Sequence, residues 1–268
     1  MDSERLLETM VHAAKDAGAF QISEFRRRAP GWGDAKTASD FVSFVDVESE
    51  KMIHRSLLAA LPSAAFYGEE TDQNLGPDAT WVVDPLDGTT NYLSGFDHWS
   101  VSIALWDPLG PRLGVVLKPT TGELFTAIRG RGAWRDGQLL PQAESLGAKS
   151  ALIATGTPYR SPQTMDAFTK TLRRVLSTCR DIRRTGSAAL DLCYLAAGFF
   201  QGFWEVDLQP YDVAAGLLML NETGHRSYSF IGADYNPFLH NSLVTGRPGV
   251  LENLRTIVLD TYPARWDA

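Results

Sequence analysis

Cysteine is scarce in this sequence, and long apolar runs are missing from it. Cys179 and Cys193 are the two cysteines, and neither belongs to a CxxC pair or to a Cys/His spacing that binds zinc. We therefore expect two buried free thiols in a reducing compartment and no zinc site. No window approaches the roughly 18 apolar residues of a membrane span, so no membrane contact is predicted.

A broad basic surface and a secretion signal are missing as well. The chain has 25 basic and 32 acidic residues, a net charge of -7, which argues against a nucleic-acid partner. Its short arginine clusters, at 26–28, 129/131 and 180 with 183–184, are expected to be solvated faces. Residues 1–18 are amphipathic and charged throughout, unlike a secretory signal. A cytoplasmic protein is the expectation.

What is present is the composition of a folded protein. Of the 268 residues 44% are apolar and 21% charged, so disorder is not expected and a large core is possible. Helical spacing of apolar residues predicts one helix from residue 3 to about 28 and another from about Val47 to Leu61. Short β-rich runs follow at 64–68, 80–84, 99–106, 112–119 and 123–128. Two helices and a strand meander predict an α+β lobe over residues 1–140.

The polar segment from about Gln138 to Lys149 is the candidate boundary to a second lobe, residues 141–268. Beyond it strands and helices alternate. The order is strand ALIATG, a helix from about Pro162 to Leu176, a short strand near Ile182, helix SAALDLCYLAAG, strand QGFWEV, helix VAAGLLMLNETG and strand NSLVTG. This alternation predicts a layered α/β lobe.

The most informative stretch is WVVDPLDGTTNY, residues 81–92. Its apolar start predicts a buried strand that ends at Asp84, followed by a tight turn through Pro85 and Asp87-Gly88. Two aspartates three residues apart around such a turn can aim at one point, where their repulsion favours a bound cation. Hard oxygen ligands of this kind suit Mg²⁺. The alternative is that both aspartates only form the turn, and this stretch by itself does not decide between the two.

Further carboxylates lie at other junctions between elements. Glu69 and Glu70 follow a short strand, Asp212 precedes an apolar helix, and Asp46 precedes the second helix. Asp212 and Asp46 could instead be N-caps that accept backbone N–H bonds. Packing does not require three acidic clusters at such junctions, and the pattern favours a metal site.

The residues after Asp87 fit a phosphate group. Gly88 has no side chain in the way, and 88–91 offers backbone N–H groups and hydroxyls. The chain has no GxxxxGK[ST], no GxGxxG after a strand and no GxSxG, which argues against a nucleotide-cradling loop or a serine hydrolase. His98 and His240 are expected to be ordinary packing or surface residues. Metal-assisted attack of water on a phosphate ester is the reaction class that fits.

Over nearly its whole length the chain resembles the inositol monophosphatase family of Mg²⁺-dependent, lithium-sensitive phosphomonoesterases. WVVDPLDGTTNY matches the family's first signature, Trp-x-x-Asp-Pro-x-Asp-Gly-Thr-x-Asn, at every fixed position, and WEVDLQPYDVAAG is similar to the second. The segments GEE, RGRGAWRDGQ and RRTGSAALDLCYLAAG also resemble family segments and follow the family order. The resemblance implies a layered α/β/α/β/α sandwich.

The resemblance also implies a role for each acidic position. Glu70 and Thr89 would orient or deprotonate the nucleophilic water, and Asp46 would act behind them or on a weaker third metal site. The N–H groups of Gly88 and Thr89 would hold the phosphate. Two or three Mg²⁺ ions would be held by Glu69, Asp84, Asp87, Asp212 and the main-chain carbonyl of Leu86.

Substrate contacts are implied at positions where inositol-hydrolysing members touch the ring hydroxyls. Glu205 would accept hydrogen bonds there, although a glutamate in GFWEV could equally form a surface ion pair. The chain departs from the family pattern at Tyr211, where Trp is usual, and at ETGH, where Glu-Ala-Gly-Gly is usual. Tyr at the first position also occurs in the histidinol-phosphate branch. The implied substrate positions are Asp87, Gly186, Ser187, Ala188 and Glu205.

The predicted function is hydrolysis of a polyol or sugar phosphate, with inositol 1-phosphate the first substrate to test. The same chemistry on histidinol phosphate, fructose 1,6-bisphosphate or a nucleotide monophosphate is the alternative. A reading from another class is an interaction protein that keeps the fold and works through binding. A homodimer is expected from the family resemblance.

Overall fold

The computed structural model describes residues 3–25, 34–35, 41–42, 44–71 and 73–262. The predicted first helix is α1 (Ser3–Phe25), and its expected last residues, 26–28, lie outside the described part of the chain, as does the arginine cluster there. The predicted second helix is α2 (Phe44–Ala60), which begins three residues earlier than expected. As a result Asp46 lies within its first turn and not before it.

The strands of the first half form one sheet of seven, in the order β3-β4-β5-β6-β7-β8-β9. All neighbours run antiparallel except β3 and β4, which are parallel. The predicted meander is thus confirmed, whereas the short strands β8 and β9 were not predicted. The elements are β1 (Asp34–Ala35), β2 (Phe41–Val42), β3 (Ala65–Gly68), β4 (Thr80–Asp87), α3 (Thr89–Leu93), β5 (Ser100–Asp107), β6 (Gly110–Lys118), β7 (Glu123–Ile128), β8 (Gly132–Arg135) and β9 (Gln138–Leu139).

The second half contains a mixed sheet of five strands, in the order β11-β10-β12-β14-β13. β10 runs parallel to β11 and β12, and β14 is antiparallel to β12 and β13. This agrees with the predicted alternation of strands and helices, except that the short strand β13 and the last helix, α7, were not predicted. The elements are β10 (Leu152–Thr155), α4 (Met165–Leu176), β11 (Asp181–Arg183), α5 (Ala188–Ala196), β12 (Gly202–Glu205), α6 (Pro210–Glu222), β13 (Arg226–Tyr228), β14 (Leu243–Gly246) and α7 (Val250–Thr261).

Three buried clusters stack these elements into five layers. Apolar side chains of α1 and α2, such as Met10 and Ile53, cover one face of the large sheet, and α5 and α6 fill the space between the two sheets. α4 and α7 cover the outer face of the small sheet. The implied α/β/α/β/α sandwich is confirmed. Because α6 packs on β4 to β7, the two predicted lobes share a core, and the division near residue 140 stays a prediction.

The two free cysteines differ in their exposure to solvent. Cys193 is buried as predicted, but Cys179 is partly exposed, so the expectation of two buried thiols is wrong for it. In the part of the chain that the structure describes, no helix is long and apolar enough to cross a membrane.

Candidate active site

The stretch that carries the first two aspartates is a bulged strand and not a strand followed by a turn. β4 continues through Pro85 to Asp87, and its pairing with β5 shifts register between Asp84 and Asp87. Proline has no N–H for the ladder, which favours irregular pairing at this point. The N–H of Leu86 donates instead to Oδ1 of Asp84 at 2.9 Å. The prediction that the strand ends at Asp84 is therefore wrong by three residues, and the irregularity lies between the two carboxylates.

A cavity of 290 Å³ lies at this end of β4. It brings together residues from both halves of the chain, and it includes most of the positions predicted for metal, phosphate and substrate. Glu70 and Asp46 do not line it. The predicted residues in its wall are Glu69, Asp84, Leu86, Asp87, Gly88, Thr89, Gly186, Ser187, Ala188, Glu205 and Asp212.

Asp84 is at the centre of the negative charge in this cavity. It is 2% exposed, and its burial raises the pKa of the carboxyl well above its usual range. The charges of Glu69, Asp87 and Asp212 raise the pKa further, because each disfavours a second nearby carboxylate. A bound cation would relieve this repulsion.

The donor set fits Mg²⁺ by its chemistry. Carboxylate and carbonyl oxygens converge on one buried place, and no imidazole or thiolate lines the cavity among the described residues. Among the described residues, however, no three His, Cys, Asp or Glu side chains are already positioned to coordinate a single ion. The residues therefore fit the ion in type, and the electrostatic coupling of Asp84 to three other carboxylates is the observation that supports it.

Asp87 is held by the beginning of α5. Its carboxylate accepts hydrogen bonds from the N–H of Ala189 at 2.9 Å, the N–H of Ala188 at 3.3 Å and the hydroxyls of Ser187 and Ser100. Burial raises its pKa, while these donors lower it. Ser187 is the N-cap of α5, so the predicted substrate positions 186–188 and the predicted ligand Asp87 form one connected unit.

Asp212 also lies inside its helix and not before it. The N-cap of α6 is Gln209, and Asp212 is the third helical residue, whose carboxylate accepts the N–H of Gln209 at 2.7 Å in a capping box. The alternative of an Asp212 N-cap is therefore wrong in position, although the residue does help to cap the helix. It still borders the cavity.

Thr89 connects the cavity to the buried Asp46. Its hydroxyl lies 2.9 Å from Oδ1 of Asp46 and 3.1 Å from the carbonyl oxygen of Leu86. Asp46 is fully buried, and the alternative reading as an N-cap is wrong because it lies in the first turn of α2. A hydroxyl between a cavity and a buried carboxylate can pass a proton from one to the other.

Glu50, one turn after Asp46 on α2, was missed by the sequence analysis. It is fully buried, its Oε2 accepts the N–H of Glu70 at 2.9 Å, and its Oε1 accepts the hydroxyl of Thr71 at 2.5 Å. It thus fixes the backbone that carries Glu69 and Glu70. Its four-residue spacing from Asp46, on the same helix face, was the available signal.

Gly88 occupies a position that only glycine fits. Its φ is 104°, in the left-handed region, and an added Cβ would lie 3.0 Å from the carbonyl oxygen of Gly186 and 3.1 Å from that of His98. Backbone from both halves of the chain thus approaches the wall of the cavity closely here. The predicted use of this glycine for phosphate stays a prediction.

The cavity wall around Glu205 contains two charges that the sequence analysis did not assign to the site, Arg184 and Asp191. Arg184 is exposed, as expected for the cluster at 183–184, and it also lines the cavity. Glu205 lines it as well, which does not fit the alternative of a surface ion pair. Burial raises the pKa of Glu205 well above its usual range, and so does the charge of Asp191, while Arg184 lowers it. Asp191 is buried and accepts the hydroxyl of Thr185 at 2.7 Å.

The two histidines set aside by the sequence analysis do not line this cavity. His98 is half-buried between the rings of Phe96 and Tyr194, and burial lowers its pKa to about 4. His240 accepts the N–H of Asn236 at Nδ1. Both are packing residues, as predicted.

Comparison with known proteins gives a consistent result. The model of the inositol monophosphatase family matches residues 2–255. Inositol-1-monophosphatase of Rhizobium meliloti (strain 1021) is 38% identical, over 99% of this chain and 100% of the relative. Nus factor SuhB of Escherichia coli (strain K12) is 36% identical, over 92% and 93%.

Solved structures show the same fold. The crystal structure of extragenic suppressor protein suhB from Bartonella henselae has a TM-score of 0.89 and is 34% identical, with 95% of this chain and 98% of that chain covered. The structure of inositol monophosphatase from Anabaena (Nostoc) sp. PCC 7120 has a TM-score of 0.85 and is 27% identical, with 97% of each chain covered.

Proposed function

The chain belongs to the inositol monophosphatase family, and on that premise we propose that it is a Mg²⁺-dependent phosphatase of polyol or sugar phosphate monoesters, with inositol 1-phosphate the first substrate to test. The observation that carries the proposal is the set of mutually repelling carboxylates around Asp84, in one cavity with Thr89. A phosphatase needs both a place for cations and a route for a proton.

The metal site of this proposal uses the cavity's oxygen donors. When bound, Mg²⁺ lowers the pKa of water and offsets charge on the phosphate and the leaving oxygen. Two or three ions are proposed. Their ligands would be Glu69, Asp84, the carbonyl of Leu86, Asp87 and Asp212.

The chain's own groups handle the proton and the phosphate. In the proposal the Thr89 hydroxyl accepts a proton from water while its own proton moves to Oδ1 of Asp46, 2.9 Å away. In the proposal Glu70, which directly follows the wall residue Glu69 and whose backbone is held by Glu50, reaches the same water from beside the cavity wall and orients it. The N–H groups of Gly88 and Thr89 bind phosphate oxygens, since no side chain can stand at Gly88.

The part of the cavity around Glu205 would receive the leaving group. Glu205 would accept hydrogen bonds from its hydroxyls, next to Asp87 and to 186–188 at the start of α5. The cavity wall carries two guanidinium groups, Arg160 and Arg184, beside the carboxyl groups of Glu205, Asp191 and Asp207. This surplus of carboxyl groups favours a neutral or cationic leaving group over one with a second phosphate. A polyol fits this, and the amino alcohol of histidinol phosphate is the runner-up ahead of fructose 1,6-bisphosphate or a nucleotide.

A substrate panel tests the proposal. Phosphate release is measured from inositol 1-phosphate, histidinol phosphate, fructose 1,6-bisphosphate and a nucleotide monophosphate, with Mg²⁺, with EDTA, and with added Li⁺. We expect the highest kcat/KM for inositol 1-phosphate, loss of activity in EDTA and inhibition by Li⁺. Hydrolysis that continues at full rate in EDTA contradicts the metal-dependent mechanism.

A second candidate function is an interaction with other proteins, because several relatives are named Nus factor SuhB. The presence of every predicted acidic position argues that this chain would keep catalysis beside such a role. Asp84→Asn separates the two. A variant that is inactive as a phosphatase but still complements a deletion strain would establish the binding role.

We also propose a homodimer and a cytoplasmic location as part of this function. Phe96 and Phe199 are exposed by 54% and 47%, and His98 and Tyr194 connect them through ring contacts. Such an aromatic surface is a reasonable place for subunit contact. Sedimentation of the wild type beside Phe96→Ser tests it, and a wild type that is monomeric at micromolar concentration contradicts it.

A further inference from the structure

Asp207 has a backbone conformation that is uncommon for residues other than glycine. Its φ is 66°, in the left-handed region that favours glycine. Such a residue persists only where its surroundings hold it, and these residues concentrate at ligand sites. Asp207 lines the cavity, two residues after Glu205.

The side chain of Asp207 holds a second segment of the cavity wall. Its Oδ1 accepts the hydroxyl of Ser161 at 2.5 Å, across 46 residues of sequence. Ser161 ends the 156–161 segment, of which Gly156, Thr157, Tyr159 and Arg160 line the cavity. The hydrogen bond therefore fixes the far end of that segment.

The near end of the same segment is fixed by β-sheet contacts. Thr155 pairs with Trp204, and its hydroxyl donates to the carbonyl oxygen of Trp204 at 2.7 Å. At Gly156 there is no room for a side chain, because an added Cβ would lie 1.7 Å from Oε1 of Glu205. The 156–161 segment thus packs against Glu205 at one end and is tied to Asp207 at the other.

We propose that Asp207 is a positioning residue that sets leaving-group selectivity, by tying the 156–161 segment to the wall that carries Glu205. This deepens the proposed phosphatase function and rests on it. The side chain acts through Ser161 and not by touching substrate, because its other oxygen, Oδ2, is buried. Among the described residues Oδ2 has no hydrogen-bond partner, so the tie to Ser161 is what the side chain contributes.

Asp207→Gly is the main test, because glycine accepts the backbone conformation and removes only the side chain. The readout is the ratio of kcat/KM for inositol 1-phosphate to kcat/KM for ethyl phosphate, whose leaving group has no other hydroxyl. We expect this ratio to fall by about ten-fold, the effect of one hydrogen bond to a charged group, mainly through KM for inositol 1-phosphate. Ser161→Ala should also lower it, but by less, because the backbone N–H of Ser161 still acts on the Asp207 carboxyl, and the double variant should match Asp207→Gly.

Two further variants separate positioning from a general loss of structure. Asp207→Asn tolerates the left-handed conformation and still accepts from Ser161, so it should keep most of the wild-type ratio. Asp136 is a matched control, because its φ is 50° and it also accepts a hydrogen bond, from Leu124 of the neighbouring strand β7, but it is exposed and does not line the cavity. Asp136→Gly should leave the ratio unchanged.

Three results overturn the inference in an active enzyme. The first is an Asp207→Gly enzyme whose ratio of kcat/KM for the two esters equals that of the wild type. The second is a double variant whose ratio falls by the sum of the two single effects. The third is an Asp207→Asn ratio as low as that of Asp207→Gly, which would assign the effect to the charge of Asp207. A wild type that hydrolyses neither ester with Mg²⁺ contradicts the proposed function and this inference together. An active wild type with an unchanged ratio in Asp207→Gly contradicts only the inference.

Discussion

The carboxylate of Asp87 accepts the N–H of Ala189 at 2.9 Å, across 102 residues of sequence. This bond joins the end of β4 in the large sheet to the beginning of α5 between the sheets. One side chain is therefore both a proposed metal ligand and a connection between the two halves of the fold.

Asp87→Asn is expected to lower activity and stability together. The amide would place an NH₂ group where N–H and hydroxyl donors now converge, and a donor facing a donor leaves both without partners. We expect a loss of about 1–3 kcal/mol in the free energy of unfolding and a loss of more than about 100-fold in kcat, beyond what changes around a metal site usually cause. Urea unfolding and steady-state kinetics measure the two.

The control for this prediction is Asp97→Asn, because Asp97 is exposed and does not line the cavity. It should change neither quantity appreciably. An Asp87→Asn protein that is inactive but as stable as the wild type would show that the bonds to α5 contribute little.

Gly156→Ala is expected to change selectivity. Since the added Cβ would lie 1.7 Å from Oε1 of Glu205, the carboxylate must leave its place. We expect about a ten-fold lower preference for inositol 1-phosphate over ethyl phosphate, the effect of a lost hydrogen bond to a charged group. The measurement is kcat/KM for both esters.

Gly147→Ala provides the matched control, because an added Cβ there meets nothing within 4 Å and the backbone φ is -70°. Glu205→Ala and the Gly156→Ala/Glu205→Ala double variant should show the same preference as each other. A further loss in the double variant would mean that Gly156 acts on something other than Glu205.

The sequence predicts the residues of the site better than their connections. Asp84 and Asp87 could be recognised because their spacing around a proline is local. The bond from Asp87 to α5 could not, because it depends on how a helix 100 residues later packs between the sheets. Arg184 was missed for the same reason, since which residues of a loop reach a cavity is set by tertiary packing, whereas the spacing of Glu50 from Asp46 was a local signal that was not used.

In the fold, too, most elements with a repeated local sequence pattern were predicted, and elements without one were missed. The helices α1, α2, α4, α5 and α6 were predicted within a few residues, since their apolar spacing is repeated over several turns, whereas α7 was not predicted. β8 and β9 were missed because they have only four and two residues, too few for an alternating pattern. The left-handed φ of Asp207 has no signal in the sequence, because aspartate is compatible with many turns.

Because His225 is buried, we expect the folded protein to lose stability in mild acid. It lies in the ETGH departure from the family pattern, is 5% exposed, and burial lowers its pKa to about 4, with a smaller effect from Arg247. Between its ordinary pKa and about 4 the unfolded chain binds a proton that the folded chain does not. The contribution of neutral His225 to the free energy of unfolding is therefore complete above pH 6.5. It is lost as the pH falls towards about 4, and the loss is at most about 3 kcal/mol.

Urea midpoints of the wild type and His225→Asn at pH 7 and pH 5 test this prediction. The variant should lose less stability than the wild type between the two pH values, whatever its stability at pH 7. His12→Asn, at an exposed histidine of α1, should behave like the wild type. Equal losses in the wild type and in His225→Asn would show that His225 is not the acid-sensitive group.

Removal of the Thr89 hydroxyl is expected to lower kcat and to leave substrate binding nearly unchanged. Thr89→Val keeps the shape but removes the hydroxyl that lies 2.9 Å from Oδ1 of Asp46, so water loses its route to that carboxylate. We expect kcat to fall by about 10²- to 10⁴-fold, the usual contribution of general base catalysis, with little change in KM. Thr89→Ser keeps the hydroxyl and should retain most of the activity. Because Thr89→Val removes the hydroxyl and keeps the methyl group, a Val variant with the kcat of the wild type would contradict the proton route through Asp46.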